Sequence, residues 1–187
     1  MSVGAIILAA GASTRLGEPK QLISFSGELL LERTVRIAAE AGCEPVIVVL
    51  GASAETILTA SNLGNAEIVI NADWEDGMAE SIVCGVAAID GRVDAAVVLA
   101  CDQPALTVSH LLALMQTNEV AASAYAGRRG VPAYFPAATF EDLMELQGDT
   151  GARDLLKTAR TVDLPGGELD VDTPETLARA RELYEVA

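Results

Sequence analysis

The chain has 187 residues, of which 51% are hydrophobic and 21% are charged, and this composition excludes a disordered or fibrous protein. Its 27 acidic and 12 basic residues give a net charge of −15, which argues against extended binding to nucleic acid or to anionic membranes. The three cysteines show no Cys-x-x-Cys spacing, so we predict neither a zinc site nor a disulfide framework and expect a cytoplasmic protein. We predict no signal peptide or membrane span, because the apolar run 3–10 is too short and follows no basic segment.

Four apolar runs separated by longer helical patterns dominate the first hundred residues. The runs are VGAIILA, PVIVVL, AEIVI and DAAVVLA, and continuous hydrophobicity is typical of strands buried on both faces of a parallel sheet. The segments between them repeat apolar residues at helical spacing and predict crossover helices. We therefore predict an α/β fold with three layers and a mostly parallel central sheet, as a single domain over residues 1–187.

Shorter elements follow the fourth strand. We predict a helix over residues 107–118, then two short strands joined by Arg-Arg-Gly as a hairpin insertion. A last helix is expected to begin at DVDTPE. His110, the only histidine, follows Ser109 at a helix start, so we expect it at the surface and outside any catalytic group.

The loop after the first strand, LAAGASTRLGEPK, is the first candidate binding segment. In an open parallel sheet, ligands bind beyond the carboxyl ends of the strands. Small residues let backbone N–H groups approach a phosphate, and Arg15 and Lys20 add positive charge. The spacing fits neither a Walker loop nor a G-x-G-x-x-G dinucleotide fingerprint. The alternative is a glycine-rich turn that binds nothing.

Acidic residues mark the second candidate segment. Asp102 follows the fourth apolar run in LACDQPAL, and Pro104 separates it from the next helix start. Proteins commonly hold Mg²⁺ through one or two carboxylates together with substrate phosphates, so Asp102 is a candidate metal ligand, with helix capping as the alternative. The segment DVDTPE supplies Asp170 and Asp172, either of which is a candidate second ligand.

Together these segments resemble those of a known family. LAAGASTRLGEPK is similar to the N-terminal signature of Rossmann-like nucleotidyltransferases, and this motif is shared widely among them. Later motifs resemble the MocA-like molybdenum cofactor cytidylyltransferases within the MobA-like NTP transferase family. Those motifs are DWEDGMAESIVCGV, LACDQP, GVPAYF, GDTGAR and DVDTPE.

The resemblance implies a role for each matched residue. Arg15, Lys20 and Asp102 are expected to be catalytic, and Asp102 with Asp172 to hold Mg²⁺. Acceptor contacts are expected from Gly77, Met78, Ser81 and Arg153. Nucleotide contacts are expected from Leu8, Ala9, Ala10, Gly11, Ala12, Arg15 and Lys20.

The implied reaction is transfer of CMP from CTP to the phosphate of molybdopterin, with release of pyrophosphate and a requirement for Mg²⁺. The expected partner is a molybdoenzyme or its maturation chaperone. Ala9-Ala10-Gly11 resembles the turn of pyrimidine-using relatives, which favours CTP over GTP. Two alternatives stay open: another small phosphorylated acceptor, and a nucleotide-binding module without turnover. The chain departs from the family pattern at Cys101 and at SFSGELLLE, and neither departure removes a charged group that the chemistry needs.

Overall fold

The computed structural model describes residues 1–185, and residues 186–187 of the predicted domain lie outside this range. Within it, strands and α-helices alternate over the first hundred residues, apart from a short hairpin at 24–29. Short 3₁₀ turns connect several of the elements. The elements are β1 (Val3–Ala9), β2 (Ser24–Phe25), β3 (Glu28–Leu29), α1 (Leu30–Glu40), β4 (Val46–Leu50), α2 (Ala54–Ala60), β5 (Glu67–Ile70), α3 (Met78–Ile89), β6 (Ala95–Ala100), α4 (Val108–Met115), β7 (Ala121–Tyr125), β8 (Arg128–Pro136), α5 (Phe140–Met144), α6 (Arg153–Leu156), β9 (Arg160–Asp163) and α7 (Pro174–Tyr184).

Seven of these strands form the central sheet, in the order β5-β4-β1-β6-β8-β7-β9. Neighbouring strands pair in parallel, except that β8 runs antiparallel to β6 and β7. The mostly parallel sheet is therefore confirmed. β1, β4 and β6 are buried on both faces, as their continuous apolar runs predict, whereas β5 at the sheet edge is largely exposed.

Helices cover both faces of the sheet, which confirms the three layers. On one face, α1, α2 and α4 contribute Leu31, Ile57 and Leu111 to an apolar cluster with the strands. On the other face, α3 and α5 contribute residues such as Val86 and Phe140 to a second cluster. Burial of these two clusters supplies most of the apolar stabilisation of the fold.

The last helix returns to the N-terminal half of the chain. It begins where Thr173 accepts a hydrogen bond from the backbone N–H of Thr176, with Pro174 in the first helical position. Its inner face joins a third apolar cluster with the short β2–β3 hairpin and the start of α1. This packing holds the segment before α7 close to the loop after β1.

Two expectations about the second half of the chain are wrong. The hairpin of β7 and β8 is part of the central sheet, and it turns at Ala126 and Gly127, both of which have positive φ angles. Arg-Arg-Gly instead begins β8. His110 is buried, not on the surface, and its Nε2 lies 2.7 Å from Oγ of Ser123.

Strand β9 is not predicted by the sequence, because its side chains are mostly exposed and show no apolar run.

Candidate active site at the carboxyl ends of the strands

The loop after β1 is fixed by hydrogen bonds from Gln21, whose side chain is fully buried and is not predicted as a site residue by the sequence. Its Nε2 donates to the carbonyl oxygens of Ala9, at 2.6 Å, and Gly11, at 3.3 Å. Among the described residues, the backbone N–H groups of Gly11 and Ala12 have no protein acceptor. Exposed N–H groups on a fixed loop suit the oxygens of a phosphate.

The other predicted members of this loop differ in exposure. Ala9 and Ala10 are buried, and Leu8 packs partly against the cluster on the α3 face of the sheet. The carbonyl oxygen of Ala10 accepts a hydrogen bond of 2.9 Å from the N–H of Ala52. Contacts from Ala10 to a nucleotide are therefore restricted to backbone atoms and the edge of its methyl group.

Three residues distant in sequence meet at the carboxyl end of β6. Nζ of Lys20 lies 2.5 Å from Oδ2 of Asp102 and 2.7 Å from Oδ1 of Asp172. The second oxygen of Asp172 accepts from Nη2 of Arg15 at 3.1 Å. The structure thus brings together every residue that the sequence predicts to be catalytic or metal-binding, around one ammonium group.

The charges of this cluster alter the protonation of Lys20. Burial alone would lower the pKa of its ammonium, but the charge of Asp102 and hydrogen bonds to both carboxylates raise that pKa above its ordinary value. Lys20 is therefore a fixed positive charge at physiological pH. Cys101, the residue before Asp102, is buried, and burial together with the Asp102 charge raises the pKa of its thiol to about 12. This thiol carries no nucleophilic role at neutral pH.

Asp170 is a third carboxylate beside the cluster. Its Oδ1 is buried without a hydrogen-bond partner among the described residues. Burial, followed by the charges of Asp102 and Asp172, raises the pKa of Asp170 to about 6. The N–H of Val171 donates to the carbonyl oxygen of Asp102 at 2.9 Å, which anchors the whole acidic segment to the end of β6.

The donor set of this cluster suits a hard divalent cation. In the part of the chain that the structure describes, no three or more His, Cys, Asp or Glu side chains form a ready metal site. The ammonium of Lys20 nevertheless occupies the space between two carboxylates, and Asp170 offers an unpartnered oxygen. Two carboxylates completed by substrate phosphates are a common environment for Mg²⁺.

The predicted acceptor residues lie on the α3 face of the sheet. A Cβ on Gly77, whose φ is 117°, would lie 2.7 Å from Oδ1 of Asp149, so Gly77 permits a close approach of two loops. Met78 is exposed beside Gly151. Ser81 is buried, and its Oγ accepts from Nδ2 of Asn71 at 3.1 Å, which indicates a role in fixing the loop after β5.

Gln103 is a further site-adjacent residue that the sequence did not single out. It is 4% exposed, and its Nε2 donates to the carbonyl oxygens of Val131, at 3.1 Å, and Gly167, at 3.3 Å. Gln103 therefore ties β8 and the segment before Asp170 to the end of β6. Its position directly after Asp102 was the only signal available in the sequence.

A separate cavity of about 650 Å³ lies near the amino-terminal ends of β4 and β5, between α1 and the segment before β5. Glu28, Glu32 and Arg36 are among its lining residues, and none of the charged cluster is. We therefore place the candidate site at the strand ends and not in this cavity. No described helix is both long enough and apolar enough to cross a membrane.

Comparison with known proteins gives consistent matches over most of the chain. The sequence profile of the MobA-like NTP transferase domain matches residues 5–164. Nicotine blue oxidoreductase of Paenarthrobacter nicotinovorans is 36% identical, with 95% of each chain aligned. Purine catabolism protein PucB of Bacillus subtilis is 32% identical over 91% of each chain. The molybdenum cofactor cytidylyltransferase of Escherichia coli is 23% identical over 98% of this chain and 97% of its own length.

Solved structures agree with the fold. Rv0371c from Mycobacterium tuberculosis H37Rv superposes over the whole of both chains with a TM-score of 0.86 and 30% identity. The complex of Rv0371c with manganese superposes equally completely, with a TM-score of 0.82 and 28% identity. These similarities confirm the α/β architecture with a mostly parallel central sheet.

Proposed function

Because the chain belongs to the MobA-like NTP transferase family, we propose that it transfers CMP from CTP to the phosphate of molybdopterin. The observation that carries the proposal is the contact of Lys20 with both Asp102 and Asp172. This contact lies beside a loop in which the N–H groups of Gly11 and Ala12 have no acceptor among the described residues. Such a site combines a phosphate cradle, a fixed cation and carboxylates for a divalent metal. Each of these parts is needed for transfer of a nucleotidyl group.

In the proposed reaction, an oxygen of the acceptor phosphate attacks the α-phosphorus of CTP. A new P–O bond forms, the bond from the α-phosphorus to the bridging oxygen breaks, and pyrophosphate leaves with the electron pair. Lys20 and Arg15 stabilise the negative charge that builds up on the phosphates, and one positioned donor contributes about 2.7–4 kcal/mol. No protein nucleophile is required, because positioning and charge stabilisation dominate such transfers.

Asp102 and Asp172 are the residues proposed to hold the metal, with Asp170 beside them. The manganese complex of Rv0371c supports a divalent ion in this family, and we propose Mg²⁺ for this chain. The bound ion would polarise the phosphate oxygens of the substrate. Asp102 and Asp172 would hold the ion, while the positive charge of Lys20 limits the repulsion between the two carboxylates.

The acceptor is the part of the proposal with a specific alternative. The relatives at 36% and 32% identity carry names from nicotine and purine metabolism, whereas the molybdenum cofactor enzyme is 23% identical. A nucleotidyltransferase for another small phosphorylated acceptor is therefore the second candidate. A nicotinamide-dependent redox role has less support, because the chain lacks the G-x-G-x-x-G fingerprint.

A pyrophosphate-release assay tests these candidates. We expect release from CTP with molybdopterin and Mg²⁺, and a smaller kcat/KM for GTP, by roughly 10- to 200-fold if discrimination rests on shape. Release with a different phosphorylated acceptor would favour the second candidate. Binding of CTP without release would indicate a module without turnover. Oxidation of NADH or NADPH with nicotine blue would contradict the transferase assignment.

The cellular setting is part of the proposal. We place the reaction in the cytoplasm and the product with a molybdoenzyme or its maturation chaperone. The free cysteines, two of which are buried, suit a reducing compartment. Co-purification of a molybdoenzyme or chaperone with the full chain, dependent on an active site, tests this assignment. Recovery of the same partner with an inactive Lys20→Met protein would contradict hand-over of the product.

A further inference from the structure

Within residues 1–185, four arginines make no ion pair with a carboxylate. Of the twelve basic residues, eight pair with acidic side chains, and Arg33 donates to two carbonyl oxygens. The remaining three are Arg128, Arg129 and Arg153. In a chain with a net charge of −15, unpartnered cations near the site are the groups available to an anionic ligand.

The register of the sheet places Arg128 at the same end of the strands as Asp102, which follows the carboxyl end of β6. β8 runs antiparallel to β6, with Val98 opposite Ala133, so in the same register residues 128–130 extend beyond Ala100, the last residue of β6. Arg128 lies opposite Tyr125 in the hairpin, on the same face of it. Arg129 is the next residue along the strand and points to the other face.

Arg128 and Tyr125 form a fixed pair at the tip of the hairpin. The guanidinium carbon of Arg128 lies 5.3 Å from the centroid of the Tyr125 ring, within the range of a cation–π contact. The Tyr125 hydroxyl donates to the carbonyl oxygen of Val131 at 3.0 Å. A Cβ on Gly167 would lie 2.7 Å from Cδ1 of Tyr125, so the ring occupies a slot that this glycine leaves open.

Gln103 connects this pair to the catalytic carboxylates. It follows Asp102 and donates to Val131, which also receives the Tyr125 hydroxyl. It donates as well to Gly167, which lies against the Tyr125 ring.

The sheet order separates two sets of cations around Asp102. β6, which ends at Asp102, lies between β1 and β8. The loop after β1 carries Arg15 and Lys20, and the start of β8 carries Arg128. An in-line displacement needs the attacking oxygen and the departing pyrophosphate on opposite sides of the α-phosphorus. The proposed function assigns the phosphates of CTP to Arg15 and Lys20 on the loop after β1, and the acceptor would then approach from the side of β8.

We propose that Arg128, held against the ring of Tyr125, binds the phosphate group of the acceptor. The inference rests on the proposed function, because it assumes a second phosphorylated substrate. A guanidinium offers two parallel N–H donors to phosphate oxygens, and contact with an aromatic ring restricts its motion in advance of binding. Arg128 thereby joins Arg153, the residue expected from the sequence, as a candidate for the acceptor side.

Equilibrium binding of molybdopterin to the full chain tests the assignment, with Arg128→Gln compared with Arg129→Gln as its matched control. We expect Arg128→Gln to raise the Kd for molybdopterin at least about tenfold, and Arg129→Gln to change it less than about twofold. The Kd for CTP with Mg²⁺ should be the same in both variants, which also shows that they fold. Arg128→Lys should recover part of the lost affinity. Equal effects of the two glutamine variants, or a loss confined to Arg153→Gln, would overturn the proposal.

Failure of the proposed function has a different signature. If the parent protein releases no pyrophosphate from CTP and molybdopterin, the reaction is wrong, and inorganic phosphate then serves as the binding probe. Weaker phosphate binding by Arg128→Gln than by Arg129→Gln would support the anion site on its own. Equal phosphate binding by the two variants, or a parent protein that binds neither probe, would overturn it.

Discussion

Nζ of Lys20 lies 2.7 Å from Oδ1 of Asp172, although 152 positions separate these residues in the sequence. The same ammonium group contacts Asp102, so one positive charge joins the loop after β1, the end of β6 and the segment before α7. Two partly buried carboxylates this close to each other would repel without it. Lys20 therefore contributes both the positive charge of the candidate site and the contact that joins these three segments.

Replacing Lys20 by methionine should lower both activity and stability. We expect turnover with CTP to fall by about a hundredfold or more, because a donor aimed at developing charge is lost. The free energy of unfolding should fall by about 1–3 kcal/mol, because two carboxylates lose a charged partner. Lys157→Met removes the only other lysine, from an exposed pair with Asp154, and should leave both quantities nearly unchanged. A normal single-turnover rate for Lys20→Met would remove this residue from the mechanism.

Asparagine variants of the two acids before α7 decide which of them holds the metal. Asp172 contacts Lys20 and Arg15, so we expect Asp172→Asn to raise the Mg²⁺ concentration for half-maximal activity at least about tenfold. Asp170 contacts neither cation directly, and Asp170→Asn should have a smaller effect. Calorimetric titration with Mn²⁺ provides a second measurement without turnover. The reverse order of effects would assign the metal to Asp170.

Two glycines near the loop after β1 should respond differently to alanine. A Cβ on Gly11 would meet no atom of the described residues within 4 Å, so Gly11→Ala should leave thermal stability unchanged. If a phosphate lies against this loop, the same methyl group should raise the KM for CTP about tenfold or more. A Cβ on Gly51 would lie 2.6 Å from Cβ of Trp74, so Gly51→Ala should destabilise the protein by about 1–3 kcal/mol. An unchanged KM in Gly11→Ala would place the phosphates elsewhere.

His110 should make the fold sensitive to acid. Burial lowers the pKa of His110 in the folded protein, so the unfolded chain binds its proton more readily. Its contribution to stability is therefore complete above the unfolded pKa of about 6.5 and is lost as the pH falls through the lower folded pKa. The Oγ of Ser123 donates to the carbonyl of Pro132 and so accepts from Nε2 of neutral His110.

Urea titrations from pH 7.5 to 5 should show a steeper loss of stability in the parent protein than in His110→Gln. Parallel profiles would contradict this account.

The sequence predicts the buried part of the fold well. Strands such as β1 and β4 are covered on both faces, and only a continuous apolar run satisfies that environment. It does not predict β9, which is joined to β7 by backbone hydrogen bonds and has exposed side chains. It also places the hairpin turn at Arg-Arg-Gly, because the positive φ of Ala126 leaves no mark on residue type.

The residues of the candidate site are likewise only partly predictable from the sequence. Lys20 can be selected from the sequence because it is a positive charge in a strongly acidic chain, and Asp102 because it follows a buried strand. Few residue types bind phosphates and divalent cations, so such positions are informative. The choice between Asp170 and Asp172, and the roles of Gln21 and Gln103, depend on which atoms meet across the strand ends. The layered α/β architecture and the residue types of the candidate site can therefore be predicted from the sequence alone. The partners of these residues become known only from the structure, because a hydrogen bond between distant segments depends on three-dimensional distance and leaves no periodic pattern along the chain.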